Sequence, residues 1–221
     1  MVYGLSSATG RQCGQHTRTP RAPQRAGAVA LVLVLLTGVF LVQELSLGLE
    51  WTLRASALAM SLVEIAVAAS ARCLLAKSPQ LHHLGPASPL HWSPSLVIGI
   101  AAGVLLALLG SLLSGIGMWT GGPRCTGFTW LYFVCVAPIC EELAFRGSLL
   151  RLCASELGPL CGIGLLCSVF VVVHLHSNSM HMLPTYCAYT VGLTTVRVLT
   201  GRLGASIVCH CTILLCWIRY G

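Results

Sequence analysis

The stretch LVIGIAAGVLLALLGSLLSGIGMW, residues 96–119, decides the class of this protein. It contains no charged residue, and most of its side chains are aliphatic. About 20 such residues suffice to cross the hydrocarbon core of a bilayer as an α-helix. We therefore predict that residues 96–119 span a membrane.

The composition of the whole chain extends this prediction. Of its 221 residues, 56% are hydrophobic and only 9% are charged, which is too little charge for the solvated surface of a soluble globular protein. The net charge of +7 comes from basic residues that mostly stand at the ends of apolar runs, so it indicates membrane topology and no nucleic-acid partner. We predict an all-α fold, a polytopic transmembrane helical bundle whose partner is the lipid bilayer.

The apolar runs divide the chain into three parts. Residues 1–25 are polar and rich in Gly, Pro, Gln and Arg, which predicts a disordered basic tail. Residues 26–119 are predicted to form N-terminal transmembrane helices, and four shorter spans follow. About seven spans result, at residues 26–43, 53–76, 96–119, 127–150, 157–175, 182–200 and 203–218.

The basic residues also predict an orientation, because cytoplasmic loops carry an excess of Lys and Arg. With the N-terminus in the cytoplasm, the cytoplasmic side receives the four tail arginines, Arg72, Lys77, Arg151 and Arg202. The opposite side receives only Arg54, Arg124 and Arg219. The short chain and compact loops favour a bacterial inner membrane.

Few ionisable residues stand at membrane depth, where each costs about 2.5–3.5 kcal/mol to insert. In APICEELAFR, residues 137–146, Glu142 and Arg146 lie four residues apart on one helical face, with the acid first, which favours an ion pair. Glu141 points about 100° away and has no partner on its own helix. All six acidic residues are Glu, which excludes an aspartyl dyad or a Ser-His-Asp triad. We predict that Glu141 is a functional carboxylate that needs a group from another span.

Two histidines on later spans complete a candidate active site. His174 ends one predicted span, and His210 lies midway along the last. A carboxylate can take a proton from water, one histidine can orient that water, and a second can donate to the oxyanion of a tetrahedral intermediate. These residues are the parts of a water-activating peptidase.

Two other chemistries can be written on these spans. Zinc is possible with Glu141, His174 and His210 as ligands, but His-Glu-x-x-His occurs nowhere in the chain, so no metal is assigned and no cofactor is required. Ser206 and His210 lie four residues apart, but no third residue orients the histidine of such a serine site.

Three motifs occur in order on successive predicted spans. They are Glu-Glu-x-x-x-Arg at Glu141 to Arg146, Phe-x-x-x-His at Phe170 and His174, and a histidine after a Gly-rich helix start at His210. In these motifs the chain resembles the CPBP (CAAX protease and bacteriocin-processing) intramembrane proteases, which include the Ras-converting CAAX prenyl endopeptidases. The resemblance covers residues 126–218.

The resemblance implies an intramembrane protease, a peptide hydrolase in which a four-helix catalytic core holds a glutamate-activated water. Glu141 and His174 would activate this water, and His210 would lie on the oxyanion side. The substrate would be a membrane-associated peptide, either a prenylated protein C-terminus of the CAAX type or a leader peptide. The supporting residues would be Glu142, Arg146 and Phe170.

The third motif departs from the family pattern. The family usually continues His-x-x-x-Asn, whereas Leu214 stands four residues after His210. Leucine cannot donate a hydrogen bond, and losing one oxyanion donor typically costs about 10²–10³ in rate. Asn178 is the only Asn in the chain and lies four residues after His174, so it is a hypothesis for the missing amide.

This departure leaves other functions open. The chain could be a non-catalytic relative, giving bacteriocin self-immunity or serving as a scaffold. It could also be a carrier in which Glu64, Glu141, His174 and His210 relay protons. Against the carrier, the ionisable residues cluster in one half of the chain instead of being shared between two symmetric halves.

Overall fold

Seven helices form the protein, in a computed structural model that describes residues 22–48, 53–76, 92–115, 124–125, 127–176 and 180–220. Each helix lies on one of the seven predicted apolar runs, so the all-α helical bundle is confirmed. The helices are α1 (Ala22–Gly48), α2 (Leu53–Ala76), α3 (Trp92–Ser114), α4 (Gly127–Leu157), α5 (Pro159–His176), α6 (Leu183–Thr200) and α7 (Leu203–Trp217).

Three of the described helices are long and apolar enough to cross a membrane. These are α2, α3 and α4, over Ala55–Ala76, Pro94–Ser114 and Gly127–Leu157. Shorter apolar segments occur in α1, α5 and α7. The combination identifies an integral membrane protein, although fewer helices reach full spanning length than the seven predicted spans.

Several helix ends differ from the predicted ones. α1 begins at Ala22, inside the segment 1–25 where a disordered tail is predicted, and the rest of that segment lies outside the described residues. α4 continues past residue 150, where its predicted span ends, through the buried Glu156 to Leu157. Gly158 adopts a positive φ of 86°, which glycine tolerates and which turns the chain into α5.

Two wide, π-helical turns interrupt α4, at Tyr132–Val136 and Leu143–Leu149. The backbone N–H of Ala137 donates to the carbonyl of Tyr132, five residues earlier, just before Pro138, which has no N–H to donate. The helix therefore continues through the proline by widening. Glu141 and Glu142 lie on the short regular segment between the two wide turns, and such turns are frequent at functional sites.

The helices pack in two groups. α1 and α2 pack on each other and on the second half of α4 and α5, around residues such as Leu35, Val67 and Leu149. α3 packs on α6 and α7, around Leu193 and Ile213. A two-residue parallel bridge pairs β1 (Arg124–Cys125) with β2 (Arg219–Tyr220), so the start of α4 lies beside the end of α7.

A glycine face on α3 brings this helix into direct backbone contact with α7. A Cβ atom at Gly99 would lie 2.7 Å from the carbonyl oxygen of Ala205, and one at Gly103 would lie 2.7 Å from that of Cys209. Small residues spaced by four are the usual means by which membrane helices approach closely. This contact fixes the position of the part of α7 that carries His210.

We expect Gly103→Ala to destabilise the bundle by about 1–3 kcal/mol, because the added methyl group overpacks a contact with backbone. Gly164→Ala on α5 is the matched control, since a Cβ there meets no atom within 4 Å. Thermal unfolding in detergent measures both variants. Equal midpoints for the two variants would contradict the close α3–α7 contact.

Candidate active site

A cavity of about 360 Å³ lies between α2, α4, α5, α6 and α7. It has room for about twelve water molecules at about 30 Å³ each. Its wall contains the three residues predicted to be catalytic together with polar and apolar residues from other helices. The lining residues include Glu141, His174, His210, Glu64, Tyr186 and Leu214.

Glu141 meets both histidines at this cavity. Its Oε2 atom lies 3.7 Å from Nε2 of His174 and 3.8 Å from Nε2 of His210. These distances are too long for direct hydrogen bonds, and Oε2 has no hydrogen-bond partner among the described residues. A separation of this size between polar groups is typical of a place where one water molecule bridges them.

The second ring nitrogen of each histidine is already engaged. Nδ1 of His174 donates to the carbonyl of Phe170 at 2.8 Å, and Nδ1 of His210 donates to Oε1 of Glu142 at 3.1 Å. A carbonyl and an ion-paired carboxylate can only accept, so both Nδ1 atoms carry hydrogen. The two Nε2 atoms are therefore the ones that face Glu141.

Glu142 and Arg146 form the ion pair expected from their spacing. Nη1 of Arg146 donates to Oε1 of Glu142 at 2.9 Å, and Nη2 donates to the hydroxyl of Thr190 on α6 at 3.2 Å. Glu142 is completely buried and Arg146 almost so. Oε1 of Glu142 thus accepts from both Arg146 and His210, which joins α4 to α7, and Arg146 joins the pair to α6 through Thr190.

Phe170 lies between Arg146 and His174. The guanidinium carbon of Arg146 is 4.3 Å from the centre of the Phe170 ring, and the His174 ring stacks on Phe170 with centroids 4.0 Å apart. The phenyl ring is 2% exposed. Cation–π contact and stacking at these distances fix the plane of the His174 imidazole.

We expect Phe170→Leu to lower kcat for peptide hydrolysis by about tenfold to 10²-fold, because a misplaced catalytic group costs rate of this order. Phe145→Leu is the matched control. Phe145 is equally buried and meets Phe170 edge to face at 5.4 Å, on the same core. We expect Phe170→Leu and Phe145→Leu to lose similar thermal stability and Phe170→Leu to lose more kcat. Equal kcat losses would contradict a role of Phe170 in orienting His174.

Glu141, His174 and His210 are also the candidate ligands of a metal ion. One carboxylate and two imidazoles are suitable ligand types for zinc. Among the described residues, however, no three His, Cys, Asp or Glu side chains are arranged to hold a metal ion.

The remaining predicted residues are placed as follows. Asn178 lies outside the described residues. Ser206 is buried, and its hydroxyl donates to the carbonyl of Leu203 at 3.0 Å, so it is engaged within its own helix. Leu214 lines the cavity, where the family pattern has Asn.

The sequence did not identify the part that α2 and α6 play in this wall. Ser56, Met60 and Glu64 line the cavity at the four-residue spacing of one helical face. The Tyr132 hydroxyl donates to the carbonyl of Ala57 at 2.6 Å and joins α4 to α2. Tyr186 on α6 lies 5.2 Å, ring to ring, from His174. The helical spacing on α2 was visible in the sequence, but nothing in it indicated which neighbour that face meets.

Comparison with known protein families finds a match over the helices that carry the three motifs. Residues 124–216 match the family described as type II CAAX prenyl endopeptidase Rce1-like. Over this segment the chain is similar to that family. The resemblance inferred from the three motifs is confirmed, and the matched segment contains α4 to α7 with Glu141, His174 and His210. No curated protein and no solved structure matched the chain. Similarity to the CAAX prenyl endopeptidase family implies a lipid environment and a peptide substrate. Helix α2 lies outside the matched segment.

Proposed function

We propose that this protein is an intramembrane endopeptidase in which Glu141 and His174 activate a water molecule and His210 stabilises the oxyanion. The observation that carries the proposal is the convergence of both Nε2 atoms on Oε2 of Glu141 at 3.7 and 3.8 Å. Similarity to the CAAX prenyl endopeptidase family supports the reaction class.

A count of donors and acceptors gives the protonation of the reactive state. A carboxylate oxygen and two neutral Nε2 atoms are three acceptors, but one water molecule has only two hydrogens to donate. One additional proton must therefore be bound. Placed on His210, it turns Nε2 into a donor, and the carboxylates of Glu141 and Glu142 together balance the positive charges of His210 and Arg146.

The reaction then follows from this arrangement. The water donates to Glu141 and to Nε2 of His174, and its lone pair faces the peptide carbonyl carbon. Glu141 takes the proton as the C–O bond forms, and Nε2–H of His210 donates to the oxyanion. When the C–N bond breaks, the leaving amine takes the proton from Glu141, which restores the carboxylate.

The substrate class follows from the family and from the site's position. We propose a membrane-associated peptide, with a prenylated C-terminus of the C-a-a-X type as the first candidate and a hydrophobic leader peptide as the second. The cavity is lined mainly by apolar side chains, and two of the helices around it, α2 and α4, are long and apolar enough to cross a bilayer. Such a site would admit a peptide delivered from the lipid.

We further propose that the N-terminus is cytoplasmic and that the membrane is a bacterial inner membrane. The β1–β2 bridge places Arg124 and Arg219 in register at one end of the bundle. This supports assigning both arginines to the same side of the membrane, as the predicted seven-span topology does, while the larger number of basic residues falls on the other, cytoplasmic side.

The proposed activity is tested with purified protein in detergent and internally quenched peptides. One peptide ends in a farnesylated C-a-a-X sequence, its matched control is the same peptide without the farnesyl group, and a third is a hydrophobic leader sequence. We expect cleavage of the farnesylated peptide, unchanged by a chelator, with the cut located by mass spectrometry. No cleavage across the set would overturn the proposal and favour the non-catalytic scaffold, which Leu214 supports.

A further inference from the structure

Glu64 is a buried carboxyl group that the proposed mechanism does not use. It lies on α2, outside the segment that matches the family, and is only 6% exposed. Its side chain lines the same cavity as Glu141, His210 and Leu214. It forms no ion pair with any basic side chain of the described residues.

The charge balance of the cavity determines whether the Glu64 carboxyl group is ionised. The two cations of the proposed reactive state, Arg146 and protonated His210, are already balanced by Glu142 and Glu141. A carboxylate without a cation is costly in a membrane interior, and a second carboxylate, Glu141, faces the same small space. Glu64 is therefore a neutral carboxylic acid, which has an O–H to donate.

The cavity wall lacks a donor where the family pattern has one. Leu214 occupies the position four residues after His210 and presents only methyl groups to the cavity. The Tyr132 hydroxyl already donates to the Ala57 carbonyl and contacts Ser61, so it is engaged between α2 and α4. Among the described residues that line the wall, Glu64 is the buried side chain whose carboxylic O–H has no hydrogen-bond acceptor.

We infer that Glu64 donates its O–H to the carbonyl oxygen of the scissile peptide bond and so replaces the amide that Leu214 lacks. The inference rests on the proposed peptidase function. No proton leaves Glu64 in this step. Its hydrogen bond strengthens as the carbonyl oxygen becomes an oxyanion, beside the bond from Nε2 of His210, and weakens again when the carbonyl re-forms.

Substitutions that differ only in the donor test this inference. Glu64→Gln keeps the size of the side chain and offers an amide N–H, so kcat should stay within about tenfold of wild type. Glu64→Met offers no donor, and kcat should fall by about 10²–10³-fold with little change in KM. Equal losses in the two variants, or no loss in Glu64→Met, would overturn the inference.

A second substitution tests whether Glu64 compensates for Leu214. Leu214→Asn restores an amide at the family position, so it should recover at least tenfold of the kcat lost in Glu64→Met. Tyr186→Phe is the comparison, because Tyr186 is a further hydroxyl in the wall. If Leu214→Asn rescues Tyr186→Phe and leaves Glu64→Met unimproved, the donor is Tyr186 and the inference is wrong.

An infrared measurement separates failure of this inference from failure of the proposed function. Wild-type protein should show the C=O stretch of a protonated carboxylic acid at neutral pH, absent in Glu64→Gln. A peptidyl aldehyde, which as its hydrate resembles the tetrahedral intermediate, should shift this band. An absent or unshifted band overturns the role of Glu64 whether or not the protein cleaves peptides, and the thermal midpoints of the variants show that they are folded.

Discussion

Exchange of Glu141 for Gln is expected to lower kcat/KM for peptide hydrolysis by about 10²–10⁴-fold, the usual contribution of a general base. The amide cannot take a proton from water, although it has nearly the same volume. Thermal stability should change little, since Oε2 of Glu141 has no hydrogen-bond partner in the described part of the chain. Initial rates on the cleaved peptide and unfolding midpoints in detergent measure the two effects.

Glu44→Gln is the control for this substitution. Glu44 is an exposed glutamate on α1, so the same loss of one carboxylate should leave the rate within about twofold, an effect typical of a surface change. A Glu141→Gln protein that retains activity within tenfold of wild type would place the general base elsewhere and contradict the proposed mechanism.

The second large effect is expected in the buried ion pair. Arg146→Met should lower the free energy of unfolding by about 3–5 kcal/mol, because it leaves the fully buried Glu142 carboxylate without its cation. The double variant Glu142→Gln with Arg146→Met should recover much of this loss, since neither charge is then buried alone. Both variants are measured by unfolding in detergent.

Thr190→Val is the control for the ion pair. It removes only the 3.2 Å hydrogen bond from Arg146 and should cost about 1 kcal/mol. If Arg146→Met costs no more than Thr190→Val, or if the double variant is no more stable than Arg146→Met, the pair behaves like an exposed one and the interpretation of a tightly coupled buried pair is wrong.

The sequence predicted the helices because membrane helices are defined by long apolar runs, which do not depend on the rest of the fold. It also predicted the Glu142–Arg146 pair, since residues four apart on a helix are neighbours wherever that helix lies. The extension of α4 to Leu157 was missed because Glu156, a charged residue, is buried inside α4. Burial of a charge depends on packing, which a hydropathy pattern does not contain.

The order of the site residues was predictable, but their mutual distances were not. The three motifs indicated that Glu141, His174 and His210 belong together. The tautomer of His174 follows from a bond to Phe170 within α5. That of His210 follows from a bond to Glu142 on another helix, which depends on how α4 and α7 pack. Their catalytic roles stay a prediction, as does the role of Asn178.

The contribution of α2 to the cavity places part of the proposed peptide-binding wall outside the family segment. The proposed base and the two histidines are on α4, α5 and α7, within that segment, whereas Ser56 and Met60 line the wall from outside it. Changes on this face of α2 can therefore alter which peptides fit without moving Glu141. Relatives with the same three motifs could differ in substrate through a helix that motif searches do not examine.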